Sequence, residues 1–241
     1  MKNELGIFVQ ARMESTRLPG KIFKKIGERP ALKILIDNLK ETRFRDRIFI
    51  LTTESDDDDV VEQFAKAEGV EWFRGSEEDV LDRFFQAAKR YHIQDIVRLT
   101  GDCPFLSMKL LENNIEEYYR KNRPDYYFVK NYPNGLGAID IFPFEALERA
   151  YKDATDMYHR EHVITYMEDN PDKFRVVIEE AQGTYNRPDI RLTLDERADL
   201  ELLRTVYGKL QGRIDIESIM SLFQTEPELV NINKHVKHKA R

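Results

Sequence analysis

Three short segments carry residue types that could handle a phosphorylated ligand. The first, VQARMESTRLPGK at 9–21, brings Arg12, Arg17 and Lys21 within ten residues and turns at Pro19-Gly20. A triphosphate carries about four negative charges, and guanidinium forks and backbone N–H groups in such a loop could hold it. The segment lacks the glycine spacing of a P-loop, Ile22 follows Lys21 where a P-loop has Ser or Thr, and the dinucleotide fingerprint is also absent. A solvated basic loop is the plain alternative. In the second segment, LTGDCPF at 99–105, Asp102 ends an apolar run. A carboxylate there could help hold a hard cation such as Mg²⁺, which takes one or two protein carboxylates plus phosphate oxygens. It could equally be a turn residue. The third, RLTLDERADL at 191–200, puts Asp195 between a strand-like run and a helix-like run, where Asp is also a favoured N-cap.

Weaker candidates surround these. Ser76 and Asp79 have capping-box spacing, and Arg83 follows one turn later. The acidic run Asp56–Asp59 follows Ser55 at a helix start, a placement the helix dipole explains. His159 and His162 are one turn apart, with no third metal ligand evident. The pairs Tyr118-Tyr119 and Tyr126-Tyr127 read as core or subunit interface.

Elements that alternate between strand-like and helix-like must position these residues. Strands are expected at 5–11, 47–53, 70–73 and 95–100. Helices are expected at 30–42, at 56–69, from Ser76 to His92 and at 108–121. Beyond Tyr126 the pattern loosens. Short strands are expected at 126–130, 139–142, 174–179 and 190–194, with helices at 144–152, 157–168 and 196–207. Such alternation predicts an α/β fold, a mainly parallel sheet with helices on both faces. Ligands in open sheets of this type sit beyond the carboxyl ends of the strands, where Arg12–Lys21 and Asp102 fall.

Composition narrows the class further. The 241 residues are 41% hydrophobic and 34% charged, which fits one globular unit with a heavily charged surface. The net charge of −6 speaks against a general nucleic-acid binder but leaves room for a local cationic pocket. A single cysteine, Cys103, rules out an internal disulfide framework and fits a reducing compartment. No membrane span and no signal peptide are evident, so a cytoplasmic protein is expected. The basic 234–241 tail reads as solvated.

The three motifs, in this order, resemble the spore-coat polysaccharide cytidylyltransferase-like proteins. GSEEDVLDRF (75–84) and REHVITYM (160–167) add to the likeness, which runs from about Gly6 to Tyr207. That family is related to the CMP-sugar-acid synthetases of the sialic acid and Kdo type. The resemblance implies a single nucleotidyltransferase domain of the glycosyltransferase-A type, with a dimerisation or acceptor-side subregion at about 126–180 and a homodimeric state. It implies a cytidylyl transfer from CTP to a sugar acid or related acceptor, with Mg²⁺ as cofactor. By motif, Arg12, Arg17 and Lys21 would hold the phosphates, with Ser76 and Arg83 near the nucleotide. Asp102 and Asp195 would hold the metal, with Thr193 standing where the sialic-acid branch has a second acid. His162 and Asp140 would face the acceptor; the segment LGAIDIF (136–142) departs from the family's Asp-x-Glu-x-Phe pattern at Ala138 and Asp140. Two other readings stay open: a nucleotide-sugar glycosyltransferase and a catalytically silent nucleotide-binding protein.

Overall fold

The computed structural model describes residues 5–237. The last residues of the basic tail, 238–241, lie outside the described residues. Nine strands are present among them: β1 (Leu5–Gln10), β2 (Lys25–Ile26), β3 (Arg29–Pro30), β4 (Ile48–Thr53), β5 (Glu71–Gly75), β6 (Asp95–Thr100), β7 (Tyr126–Lys130), β8 (Asp140–Pro143) and β9 (Val176–Glu180). The helices are α1 (Ala31–Lys40), α2 (Asp59–Glu68), α3 (Val80–Tyr91), α4 (Met108–Arg120), α5 (Phe144–Asp153), α6 (Met157–His162), α7 (Thr165–Asp169), α8 (Arg197–Lys209) and α9 (Ile216–Thr225).

Seven strands form one sheet in the order β5-β4-β1-β6-β8-β7-β9. The four strands from β5 to β6 run parallel, β8 is antiparallel to both its neighbours, and β9 is parallel to β7. The period-two alternation of side chains sends Ile7, Val9, Val97 and Leu99 to one face and Phe8 and Ile96 to the other. The first face is covered by α1, α2, α4, α8 and α9, through residues such as Leu35, Val61, Leu111, Leu203 and Phe223. The second is covered by α3, α5 and α7, through Phe84, Leu147 and Met167. With both faces covered, the central strands β1, β4 and β6 are almost wholly buried, as their near-continuous apolar sequences require. The fold is the expected α/β sheet, and β2 and β3 form a separate small hairpin.

Four local expectations are corrected. The run 190–194 is not a strand of the sheet. Its alternate residues Ile190, Leu192 and Leu194 are buried, but the backbone meets loops at the carboxyl ends of the strands. Leu192 N–H donates to Asn134 (2.7 Å) and Leu194 N–H to Asp102 (2.8 Å), and one isolated bridge joins Asn134 to Arg191. Gly135, at φ +91°, permits this approach, because a Cβ there would lie 2.6 Å from the Leu192 carbonyl. The predicted helix 157–168 is two short helices broken at Val163, whose φ is +60° and whose side chain is fully buried. That backbone is strained for a β-branched residue, and burial of its side chain holds it there. The N-cap of α3 is Asp79, which accepts from Asp82 N–H; Ser76 instead accepts from Asp79 N–H in the turn before it. The N-cap of α8 is Glu196, in a capping box with Asp199, so Asp195 is not the cap.

Candidate active site

β1 and β6 are adjacent and parallel, with Gln10 opposite Thr100. The chain leaves both strands at the same sheet edge, so Ala11-Arg12 and Gly101-Asp102 emerge side by side. A backbone bond from Gly101 N–H to the Gln10 carbonyl, 2.8 Å, ties the two exits. The loop after β1 then folds back: Gly20 N–H donates to the Met13 carbonyl at 3.0 Å, with Gly20 in the left-handed region at φ +62°. That turn starts the short 3₁₀ segment Lys21–Phe23 and swings Lys21 towards Asp102.

An open cavity of about 290 Å³ results, lined by Gln10, Arg12, Arg17 and Lys21 from the first segment, Thr100 and Asp102 from the second, and Asp195 from the third. Lys21 Nζ lies 2.5 Å from Asp102 Oδ2 and 2.7 Å from Asp195 Oδ1. Burial disfavours the Lys21 charge, but Asp102 and then Asp195 outweigh it and hold its pKa above the usual lysine value. For Asp195 burial likewise works against charge, and Lys21, Arg17 and Arg191 prevail, so its carboxyl sits below the ordinary range. Residues 93 positions apart in sequence thus meet at one ammonium.

The other cations are also paired. Arg17 reaches Glu196 at 3.0 Å and Asp195 at 3.3 Å. Arg12 lies 3.4 Å from Glu77 and 3.8 Å from Glu14. The neighbouring Glu14 carboxyl, with burial, raises the Glu77 carboxyl pKa. The cavity wall balances three cations, Arg12, Arg17 and Lys21, against three carboxylates, Glu14, Asp102 and Asp195.

Arg83 and Asp140 fall behind the cavity wall. Arg83 is fully buried, and its guanidinium donates to the Ser76 carbonyl (2.9 and 2.5 Å) and to the Glu77 carbonyl (3.1 Å). It holds the turn that presents Glu77 to Arg12. Burial first, then the nearby Arg12 charge, lowers its pKa to about 10. Asp140 is buried on β8, accepting from Arg98 at 2.6 Å and from Tyr126 at 2.7 Å. Arg98 also donates to Gln10 Oε1 at 3.4 Å, which links Asp140 to the cavity through Arg98 and Gln10. His162 lies on α6, its ring 4.9 Å from Tyr158, and does not line the cavity. His159 pairs with Asp169 at 3.0 Å.

Several supporting residues went unread in the sequence. Asp58 belongs to the acidic run explained by the helix dipole, yet it is 2% exposed. It accepts from Met13 N–H at 2.6 Å and from the Thr53 N–H (3.1 Å) and hydroxyl (2.5 Å). It therefore clamps the phosphate-loop candidate to the end of β4. Arg191 grips Asp195 at 2.6 Å and Asp199 at 3.0 Å. Both flank Asp195 inside the third motif, which was the available signal.

Cys103 is buried beside Asp102, and burial, then the Asp102 charge, pushes its thiol up to about 12. Among the described residues no group of three or more His, Cys, Asp or Glu could hold a metal ion. Asp102 and Asp195 are two carboxylates converging on one cation position, which suits Mg²⁺ completed by phosphate oxygens and water. No helix of the described residues is long and apolar enough to cross a membrane.

A loop of cations and two acids at the carboxyl edge of a mainly parallel sheet marks an α/β protein whose ligand edge suits a phosphorylated ligand. The chain belongs to the cytidylyltransferase family, whose model matches residues 7–226. It is 40% identical to an uncharacterized protein of Methanocaldococcus jannaschii over 241 residues, covering 98% of this chain and 96% of that one. It is 34% identical to the spore coat polysaccharide biosynthesis protein SpsF of Bacillus subtilis, covering 94% and 96%. Its fold is similar to that of a cytidylyltransferase from Leptospira borgpetersenii, with a TM-score of 0.87, 32% identity, and 99% and 100% of the two chains covered. The protein is thus a nucleotidyltransferase by family.

Proposed function

We propose that this protein transfers CMP from CTP to an oxygen of a sugar acid or related acceptor in cell-surface glycan synthesis, releasing pyrophosphate. The observation that carries this reading is the meeting of Lys21, Asp102 and Asp195 beside Arg12 and Arg17 in one cavity. Family membership supports CTP as the donor. The motif likeness to CMP-sugar-acid synthetases supports a sugar-acid acceptor, and the name of the SpsF relative supports the glycan setting.

Arg12, Arg17 and Lys21 exchange their carboxylate partners for the β- and γ-phosphates and so orient the leaving pyrophosphate. The acceptor oxygen attacks the α-phosphorus in line. The bond from that phosphorus to the oxygen bridging to the β-phosphate breaks on the opposite side, and an acceptor hydroxyl gives up its proton to water. Positioning and electrostatics supply the rate, and no covalent intermediate on the protein is needed. Charge balance argues for Mg²⁺ as cofactor. The three lining cations are matched by three lining carboxylates, so about four incoming negative charges need further positive charge. Asp102 and Asp195 would hold the ion, which when bound would neutralise charge developing at the phosphates.

The test is to incubate the protein with each nucleoside triphosphate, Mg²⁺ and a panel of sugar acids, and to measure pyrophosphate. Release that needs both CTP and one acceptor supports the reading. Release with UTP or ATP in preference overturns the cytidylyl assignment. CTP binding with no release for any acceptor supports a silent nucleotide-binding protein. A nucleoside diphosphate product from a nucleotide sugar would support glycosyl transfer instead.

A further inference from the structure

We propose that Asn233, beyond the stretch matched by the family model, is a positioning residue that fixes the Asp195 carboxylate from behind. The proposal rests on Asp195 being a working carboxylate of the site.

After α9 the chain makes a 3₁₀ segment, Pro227–Ile232, and returns to the first face of the sheet. Leu229 is buried there and anchors it, and Val230 and Ile232 pack against the same core. Asn233 follows, 2% exposed. Its side-chain amide spends both hydrogens inside the protein: Nδ2 donates to the Arg191 carbonyl at 3.0 Å and to Asp199 Oδ1 at 2.8 Å.

Asp199 is fully buried and is the hub of this network. Its Oδ1 also accepts from Arg191 Nε at 3.0 Å. Its Oδ2 accepts from the backbone N–H groups of Asp195 and Glu196, both at 2.9 Å. Arg191, fixed by Asp199, reaches on through Nη2 to Asp195 Oδ2 at 2.6 Å. Asp195 is therefore held at its backbone by Asp199 and at its side chain by Arg191. Asn233 braces both holders.

The chemistry asks for an amide. A buried carboxylate beside a buried guanidinium is stable only when its lone pairs are filled by well-aimed donors. Asn supplies two donors from a neutral group. Asp at 233 would face Asp199 with a second carboxylate. Ala would take one donor from the Arg191 carbonyl and one from Asp199 Oδ1 in a buried site. In either case Arg191 can follow Asp199 out of place, and Asp195 Oδ2 then loses the bond that aims Oδ1 at Lys21.

The test compares Asn233→Ala with Leu229→Ala, a variant that loosens the same segment while removing no hydrogen bond to Arg191 or Asp199. Both are studied as the full chain, below their melting temperatures. Amide hydrogen exchange is read at Asp195 and Glu196, together with CTP-dependent pyrophosphate release. The expected result is exchange at these two amides about tenfold faster in Asn233→Ala than in Leu229→Ala. A fall in kcat of similar size, with little change in the KM for CTP, should accompany it. Unchanged exchange in Asn233→Ala, or equal acceleration in Leu229→Ala, overturns the proposal. Faster exchange with undiminished turnover overturns the positioning role of Asn233 and leaves the role of Asp195 itself to the Asp195→Asn comparison. If Ala costs the fold, Asn233→Ser, which retains one donor, goes through the same comparison.

Discussion

Asp58 and Met13 are joined by a 2.6 Å hydrogen bond from the Met13 backbone N–H to the Asp58 carboxylate, across 45 residues of sequence. The bond fastens the cation-bearing loop to the end of β4. Asp58→Ala would leave the Met13 N–H and both Thr53 donors short of a buried acceptor. Unsatisfied buried groups cost about 1–3 kcal/mol each, so a loss of about 3 kcal/mol in unfolding free energy is expected by denaturant titration. Amide exchange across residues 12–20 should quicken as well. A variant with wild-type stability and a protected loop would show that the loop holds itself.

Arg12 stands at the mouth of the cavity and pairs with Glu77 across 3.4 Å at a half-exposed site. Such a pair is weak, so the guanidinium is available to a phosphate. A charge-assisted bond to phosphate is worth about 1.5–3 kcal/mol, or roughly ten- to hundredfold in affinity. Arg12→Ala should weaken CTP by that factor in calorimetry and leave CMP nearly unchanged. Equal losses for the two nucleotides would move Arg12 away from the β- and γ-phosphates.

What could be read from the sequence was set by locality. Strands β1, β4 and β6 and helices α1, α3 and α4 announce themselves through apolar periodicity, and their bounds move by only a few residues. The family resemblance puts Lys21 on the phosphates and Asp102 and Asp195 on a metal, and the fold brings the three side chains together as ion pairs. The route to that meeting was not legible. Ile190, Leu192 and Leu194 alternate as in a strand because alternate residues face the core, yet their backbone pairs with loops. Periodicity reports burial and says nothing about what the backbone binds. Arg83 and Asp140 illustrate a second limit. A charged residue near a motif reads as ligand-facing, and both are buried behind the wall. Asp58 and Asn233 were not legible as supports of the site, because Met13, Arg191 and Asp199 lie 45, 42 and 34 residues from them. The helix α9 likewise had no expected counterpart.

Cys103 adjoins Asp102 but is not equipped as a nucleophile. Its Sγ is buried against Thr100 Oγ1 at 3.3 Å and Thr193 Oγ1 at 3.8 Å. With the thiol pushed up to about 12, almost no thiolate exists at neutral pH. Iodoacetamide should therefore leave the folded protein unlabelled between pH 7 and 9 and label it fully in denaturant. Cys103→Ser should keep most of the turnover. A folded but inactive serine variant would demand a covalent role for sulfur.

Asp102 and Asp195 supply the sharpest test, since the fold removes an ambiguity present in the sequence. Asp195 is not the cap of α8; Glu196 is. Asp195→Asn therefore keeps the helix start intact, and any stability it loses comes from weakened pairing with Lys21, Arg17 and Arg191. Asp102→Asn weakens one bond to the same ammonium. Replacing either carboxylate makes the site more positive, so ligand-free stability should fall modestly, while CTP without metal should bind no worse. Turnover should behave differently. If the two carboxylates share one divalent ion, each single substitution lowers kcat by several orders of magnitude. The double variant should then be scarcely worse than either, as for groups that act as a unit. The metal supplies a second readout: each variant should lose Mn²⁺ binding, measured by water-proton relaxation in the presence of CTP. Strictly multiplicative losses in turnover, or Mn²⁺ binding untouched by Asp195→Asn, would leave Asp102 as the metal ligand. Asp195 would then serve only to hold Lys21 in place.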